Sequence, residues 1–385
     1  MDRKWIFIIT TLVIFMAIGA TTIYVSGKKA DSISTDELPA IMSDSIASLY
    51  FSTTADQDMN RDGMSFVVFI DAKGDTRLWE MNGLELGTIH EAENTFFMED
   101  RNHVYIVESD DIKEFKADTE EHTGEITGYK DGKFYSVYNS GFTDEGTYAS
   151  NLRIGDSSGF ETAKIPHYMY MSGIGEDEIS FVAGDEETMS LYSTPLQKDI
   201  EVKEIVALGE IGDRLGLSPI LHENGYYYML ISDTQKLTSD LYRINKETKK
   251  IDTFPFLTYK DVDDYRVRVP YNLRNAATID KGIFHYVDGA GDVHGFDFTK
   301  EQTLPMLSLE GASTGSMKMN EQTYFKDGNL YFFRYNKPTK AFAIDTYDLQ
   351  SGKRIAELPV NGLDEMFEHI SSKKKNVSSY DFLVK

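Results

Sequence analysis

Asp327-Gly-Asn-Leu-Tyr-Phe-Phe-Arg-Tyr-Asn336, followed by Ala343-Ile-Asp-Thr-Tyr-Asp-Leu-Gln-Ser-Gly-Lys-Arg-Ile355, decides the fold. A turn dipeptide opens an aromatic run, a second β-rich run follows, and a polar Gln-Ser-Gly turn leads into a third. Thr323-Tyr-Phe-Lys326 precedes them as a further short run. The unit therefore reads as four short antiparallel strands.

The opening element recurs along the chain. It stands as Gly63-Met-Ser-Phe-Val-Val-Phe69, Asn102-His-Val-Tyr-Ile-Val107, Asp131-Gly-Lys-Phe-Tyr-Ser-Val-Tyr138 and Asp177-Glu-Ile-Ser-Phe-Val182. Asn224-Gly-Tyr-Tyr-Tyr-Met-Leu230 and Lys281-Gly-Ile-Phe-His-Tyr286 continue the series to Asp327. Six intervals cover 264 residues, a mean period of 44. Four strands every 40–50 residues is the period of a β-propeller blade, whose faces are buried only when neighbours stack and the ring closes. The expected fold is an all-β propeller of seven four-stranded blades over residues 46–360. Spacing is uneven, 29 residues from Asn102 to Asp131 and 57 from Asn224 to Lys281, so six or eight blades also fit. A β-sandwich pair or a solenoid is the competing architecture. In the tail, 361–385, Tyr380-Asp-Phe-Leu-Val384 reads as a closing strand or a frayed end.

The Asp-Gly-x-Leu-Tyr start and the Tyr-Asp-Leu-x-x-Gly-Lys turn at Tyr347–Lys353 resemble those of bacterial extracytoplasmic propeller repeats, quinoprotein-like and kelch-like. The resemblance spans roughly Ile46 to Leu358 and implies an architecture rather than an activity. Tryptophan is confined to Trp5 and Trp79, which speaks against a quinone cofactor.

Composition narrows the function classes. The 385 residues include no cysteine, so disulfides, thiolate metal sites and a Cys nucleophile are excluded. A net charge of -24 makes nucleic acid an unsuitable partner. Trp5 to Val25 carries no charged side chain, and roughly 20 apolar residues span a bilayer. Residues 1–27 are expected to form a cytoplasmic stub and an uncleaved transmembrane helix, with 28–45 a polar linker. A cleaved signal peptide is the alternative, but its apolar stretch is shorter. The expected location is a bacterial cell membrane, single-pass, with the large domain outside; absence of cysteine over so long a chain fits export.

Two stretches stand out as candidate sites. In Asp56-Gln-Asp58-Met-Asn60-Arg-Asp62-Gly63, side-chain oxygens alternate before a glycine, as Ca²⁺ coordination uses them. The pattern resembles the calcium loops of some propellers and of EF-hands, which implies Asp58, Asn60 and Asp62 as ligands with the Met64 carbonyl next. Phe66 and Phe69 stand where a later carboxylate is expected, and an ordinary acidic turn is the other reading. Calcium is the cofactor this pattern implies. The second stretch is the long insertion Leu257–Arg274. Tyr259, Tyr265, Arg266, Arg268, Tyr271 and Arg274 are residue types found at binding hot spots, on a loop of the kind that carries recognition. Pairing of its arginines with Asp261, Asp263 and Asp264 is the alternative.

No His-Glu-x-x-His, no Gly-x-Ser-x-Gly elbow and no phosphate-cradling glycine loop occurs. The expected function is a non-enzymatic binding, scaffolding or sensor module for a protein or surface polymer. The alternative is a propeller-type glycan hydrolase or lyase with an axial site, which requires converging carboxylates or His and Arg at one end of the channel.

Overall fold

The computed structural model describes residues 33–143, 146–184, 187–270, 272–313, 316–336, 339 and 341–385. They form seven antiparallel sheets. The first blade takes β1 (Ser45–Ser52), β2 (Met64–Asp71) and β3 (Thr76–Asn82). The second runs β4 (Ile89–Ala92), β5 (Thr95–Glu99), β6 (His103–Val107), β7 (Ile112–Lys116). The third is β8 (Gly124–Lys130), β9 (Lys133–Phe142), β10 (Tyr148–Asp156), β11 (Gly159–Ile165); the fourth is β12 (Met171–Ile174), β13 (Glu178–Gly184), β14 (Thr188–Pro195), β15 (Lys203–Glu210). In the fifth, β16 (Arg214–Gly216) and β17 (Leu221–Glu223) share the inner edge of β18 (Tyr226–Asp233), followed by β19 (Thr238–Asn245) and β20 (Ile251–Thr258). The sixth is β21 (Ala277–Asp280), β22 (Ile283–Val287), β23 (Asp292–Asp297), β24 (Gln302–Ser308). The seventh is β25 (Gln322–Lys326), β26 (Asn329–Asn336), β27 (Ala341–Asp348), β28 (Lys353–Val360).

The chain then forms helix α3 (Leu363–Ser372), numbered after α1 (Leu38–Asp44) and α2 (Val262–Arg268), and returns as β29 (Ser378–Val384). β29 pairs antiparallel with β1, Ala47 opposite Val384 and Ser52 opposite Ser378, and supplies the first blade's innermost strand. Both ends of the domain are thus locked into one sheet. The expected seven four-stranded blades are present.

Burial explains the residue pattern. β2 is buried along both faces, as a strand between two neighbouring blades must be, and reads as a continuous apolar run. The outermost β28 is exposed from Lys353 to Glu357 and protects its edge with Lys353 and Arg354. Hairpins from first to second strand turn through Asp131-Gly132, Asn224-Gly225, Lys281-Gly282 and Asp327-Gly328, all at positive φ. That is the type I′ geometry of two-residue loops, in which the second position strongly favours glycine.

Seven apolar clusters fill the junctions between adjacent blades. The junction of blades two and three is the smallest, with Phe97, Val104, Ile106 and Phe134. Beside it lies a buried polar network. Glu99 accepts from Thr88, Ser136 and Tyr138, and Arg153 donates to the Tyr138 hydroxyl and the Thr119 carbonyl. Burial raises the Glu99 pKa.

The ring has two distinct faces. One carries the first-to-second and third-to-fourth strand turns; α1 sits there, where Lys385 Nζ meets the Met42 carbonyl and Glu91. The other carries the second-to-third strand turns and the connections between blades. No helix among the described residues is long and apolar enough to cross a membrane; Trp5–Val25 lies outside them.

Candidate functional site

The Thr53–Gly63 turn joins β1 to β2 on the connection face. Asp58 is buried, accepts from the Gly63 amide at 2.7 Å, and pairs with Arg101, itself buried. Asp62 is exposed and held by Lys375 at 2.6 Å, which lowers its pKa through that hydrogen bond. Asp56 and Asn60 are exposed. The four residues named for calcium are not brought together: the two carboxylates with partners face cations of the protein itself.

The Leu257–Arg274 insertion folds inward. Asp261 caps α2 by accepting from the Asp264 amide at 2.9 Å. Tyr259 and Tyr265 are buried, pack edge to face at 5.1 Å, and reach Ser239 and Ser232 with their hydroxyls. Arg268 binds Asp264, Asp288 and Asp292, while exposed Arg266 lies 3.5 Å from Asp263. The helix is stapled to blade six by these contacts, and Lys318 donates to the Val267 and Val269 carbonyls at its C-terminal end. Tyr271 lies outside the described residues. The group Asp288, Asp292 and His294 has ligand atoms close enough for a metal, but Arg268 Nη1 already bonds both aspartates.

Arg274 reaches across the ring. From the connection between blades five and six it donates to the carbonyls of Leu86, Gly87 and Glu125, which belong to blades two and three. The axis mouth is lined further by Asp381, Asn275, Asn272 and Glu125. Asp381 accepts from Ile89 N at 3.0 Å, Asn275 Nδ2 at 3.1 Å and Phe382 N at 2.9 Å. Asn272 donates to the Tyr380 carbonyl at 2.8 Å. Glu125 accepts from Ser172 at 2.8 Å and Asn139 at 3.0 Å. Burial raises the pKa of both carboxyls, and Arg274 opposes that rise. The axial groups thus meet one another and the backbone, a tie between distant blades.

Beside this mouth lies a surface of a different kind. Phe142 and Tyr148 face each other across the β9–β10 turn, 3.8 Å between ring centroids. Tyr148 touches Tyr168 at 5.3 Å, and Tyr168 touches Tyr170 at 5.4 Å. These residues are 68%, 43%, 38% and 39% exposed and lie next to one another. Met169, between the two tyrosines, is buried. Asn139 clamps its backbone, accepting from Met169 N at 3.1 Å and donating to Met169 O at 3.4 Å. Ser150 donates to the His167 carbonyl at 2.7 Å, and the Tyr170 amide donates to Val182 O. The ridge is held rigidly while its rings stay in water. Burial, then the Glu125 charge, raises the Tyr168 pKa, so this phenol keeps its proton. Residue types alone did not single these four out, because Tyr and Phe fill every blade. The signal present was the outward alternation of Tyr168 and Tyr170 around Met169.

A Ser–His–carboxylate grouping also exists on the opposite face. His222 Nε2 lies 2.7 Å from Ser180 Oγ, and Nδ1 lies 2.9 Å from Lys246 Nζ. With an ammonium donor at Nδ1, the ring proton sits on Nε2 and points at the serine, so His222 cannot take the serine's proton. Its pKa falls to about 4 through burial and the Lys246 charge, against Glu178.

The family model for the β-propeller domain of YycP proteins matches residues 40–384. An uncharacterized protein YycP of Bacillus subtilis (strain 168) is 26% identical over 392 residues, 98% of each chain. BamB from Moraxella catarrhalis overlaps 71% of this chain and 88% of its own at 12% identity and a TM-score of 0.45. A quinoprotein alcohol dehydrogenase-like protein from Bacteroides thetaiotaomicron overlaps 84% of both chains at 11% identity and a TM-score of 0.45.

Proposed function

The chain belongs to the YycP β-propeller domain family, and we propose that it is a membrane-tethered, extracytoplasmic binding module without catalytic activity. Its ligand, a protein or a surface polymer, docks on the connection face. The observation that carries this reading is the exposed aromatic ridge next to an axial mouth whose Arg274, Glu125 and Asp381 bond within the protein. Exposed apolar clusters held rigid in water are the usual mark of an interaction surface.

The tether fits the same geometry. Trp5–Val25 has the length and apolarity of a spanning segment. The described chain starts at Ile33, whose amide donates to Leu78 O, and enters α1 on the turn face. A membrane attached there leaves the ridge directed outward.

The hydrolase or lyase reading draws on Glu125 and Asp381, the axial carboxyls with raised pKa values. Both spend their oxygens on protein donors, which favours the binding reading.

The test is purification of the tagged full chain from detergent-solubilised membranes, alongside a Tyr148→Ser, Tyr168→Ser double variant. Protein or polymer recovered with the wild type and lost with the variant supports the reading. Identical recoveries from both would refute it. Added protease should digest the propeller on intact spheroplasts, and protection there would refute the outward location.

A further inference from the structure

We propose that the ridge of Phe142, Tyr148, Tyr168 and Tyr170 binds an uncharged, unbranched polysaccharide by stacking on the flat faces of its pyranose rings. This rests on the binding-module reading and names its ligand class. The electron-rich ring face attracts polarised C–H groups, which a pyranose presents on one side while its hydroxyls point outward along the rim. Among the described residues, none bonds the hydroxyls of Tyr148, Tyr168 or Tyr170, so three phenols stand ready for those sugar hydroxyls.

The geometry disfavours other occupants. Successive rings touch, at 3.8, 5.3 and 5.4 Å between centroids, leaving no slot for a proline ring and no cage around an ammonium. The backbone is spent as well. His167 O, Met169 N and O, and Tyr170 N are bonded within the protein, so no strand can add there. Glu125 beside Tyr168, in a chain of net charge -24, repels anionic polymers. Neighbouring rings are inclined at 36°, 60° and 75°, so they form a twisted platform, which an extended β-linked chain meets with sugar faces that turn from one residue to the next. Because Asn139 and Ser150 fix the presenting backbone, little ordering cost falls on binding.

The experiment uses the purified full chain in detergent micelles. Calorimetric titrations with cellohexaose and chitohexaose are run beside polygalacturonate and decaproline. At least one neutral sugar should bind, and Tyr168→Ala and Tyr170→Ala should each weaken it at least tenfold with the melting curve unchanged. Failure of both neutral sugars overturns the proposal, as does decaproline or polygalacturonate binding in their place, or equal affinity in the variants. If neither sugar binds yet the Tyr148→Ser, Tyr168→Ser variant still loses material from membranes, only the ligand class is wrong. If that variant loses nothing, the binding-module reading fails with it.

Discussion

Replacing Arg274 by Met should weaken the whole ring, and more so at alkaline pH. The side chain ties the connection before blade six to carbonyls of blades two and three, through two close contacts and one of 3.4 Å. Hydrogen bonds from a charged donor are worth about 1.5–3 kcal/mol each. Removing the donor leaves three carbonyls short of a partner at about 1–3 kcal/mol each, and partial exposure of the site argues for the lower end, about 3 kcal/mol in total. Unfolding entropy of about 2.1 cal/mol/K per residue over a ring of roughly 350 residues converts that to about 4 °C in Tm. The pH dependence follows from Glu125 and Asp381. Their folded pKa values are raised by burial and restrained by Arg274, so its removal raises them further. Between the unfolded and folded values the native state holds protons that the unfolded chain has released, so stability falls as pH rises through that window. The deficit of Arg274→Met should therefore be larger at pH 8 than at pH 5. Arg274→Lys should recover the pH-dependent share only, because an ammonium restores the charge but cannot reproduce the planar fork. Thermal melts followed by circular dichroism read all three. A wild-type Tm at pH 8, or a deficit that does not change with pH, would refute the axial tie.

Deleting residues 378–385 removes the strand that closes blade one and should abolish the cooperative melt and expose the chain to limited proteolysis; a sharp transition would show the ring closing without it. His222 stays neutral in the fold with a pKa of about 4, while the unfolded residue takes up a proton below its ordinary 6.5. Stability should drop as pH falls from 6.5 towards 4, by about 2–3 kcal/mol from this group, and urea titrations of His222→Gln should show a shallower loss. Asp58→Asn breaks a buried pair with Arg101 and should cost about 3–5 kcal/mol in the same assay. Melts in calcium chloride and in EDTA should coincide, since an ion would have to displace Arg101 from Asp58; a calcium-dependent rise in Tm would show that it does.

The architecture was readable because a blade is a local object. Four short runs, a turn dipeptide and a fixed period are properties of about 45 consecutive residues, and four of the first-to-second strand turns announce themselves through Asp, Asn or Lys before Gly. Phase was harder. Gly63–Phe69 and Asn102–Val107 are third strands, β2 and β6, whereas the other five copies are second strands. This shift shortened the interval from Asn102 to Asp131 to 29 residues, while the Leu257–Arg274 insertion lengthened that from Asn224 to Lys281 to 57. It arose because β1 and β5 begin with Ser45 and Thr95 rather than after a glycine turn, leaving the third strand as the more visible apolar run. At the inner edge of blade five, the run Pro219-Ile-Leu-His222 marks β17, whereas β16 has no such mark.

The candidate sites failed to declare themselves for a physical reason. An arginine or tyrosine on a long insertion offers the same chemistry whether it faces water or the interior, and only the packed structure decides. Arg268 found Asp288 and Asp292, twenty and twenty-four positions downstream, and Arg274 found carbonyls nearly two hundred positions upstream. The partners of Arg268 are set by the fold of the adjoining blade six, and those of Arg274 by ring closure, which leaves no trace in local spacing. The converse holds for the ridge. Tyr168 and Tyr170 look like one more strand of blade core, yet they lie in the connection before β12, where Asn139 clamps the Met169 backbone and the Met169 side chain is buried, leaving both rings outward. Phe142 and Tyr148 come beside them because blades three and four are neighbours. A binding surface on a propeller is therefore assembled from side chains that the repeat leaves over, and it becomes visible when the core residues of each blade have been accounted for.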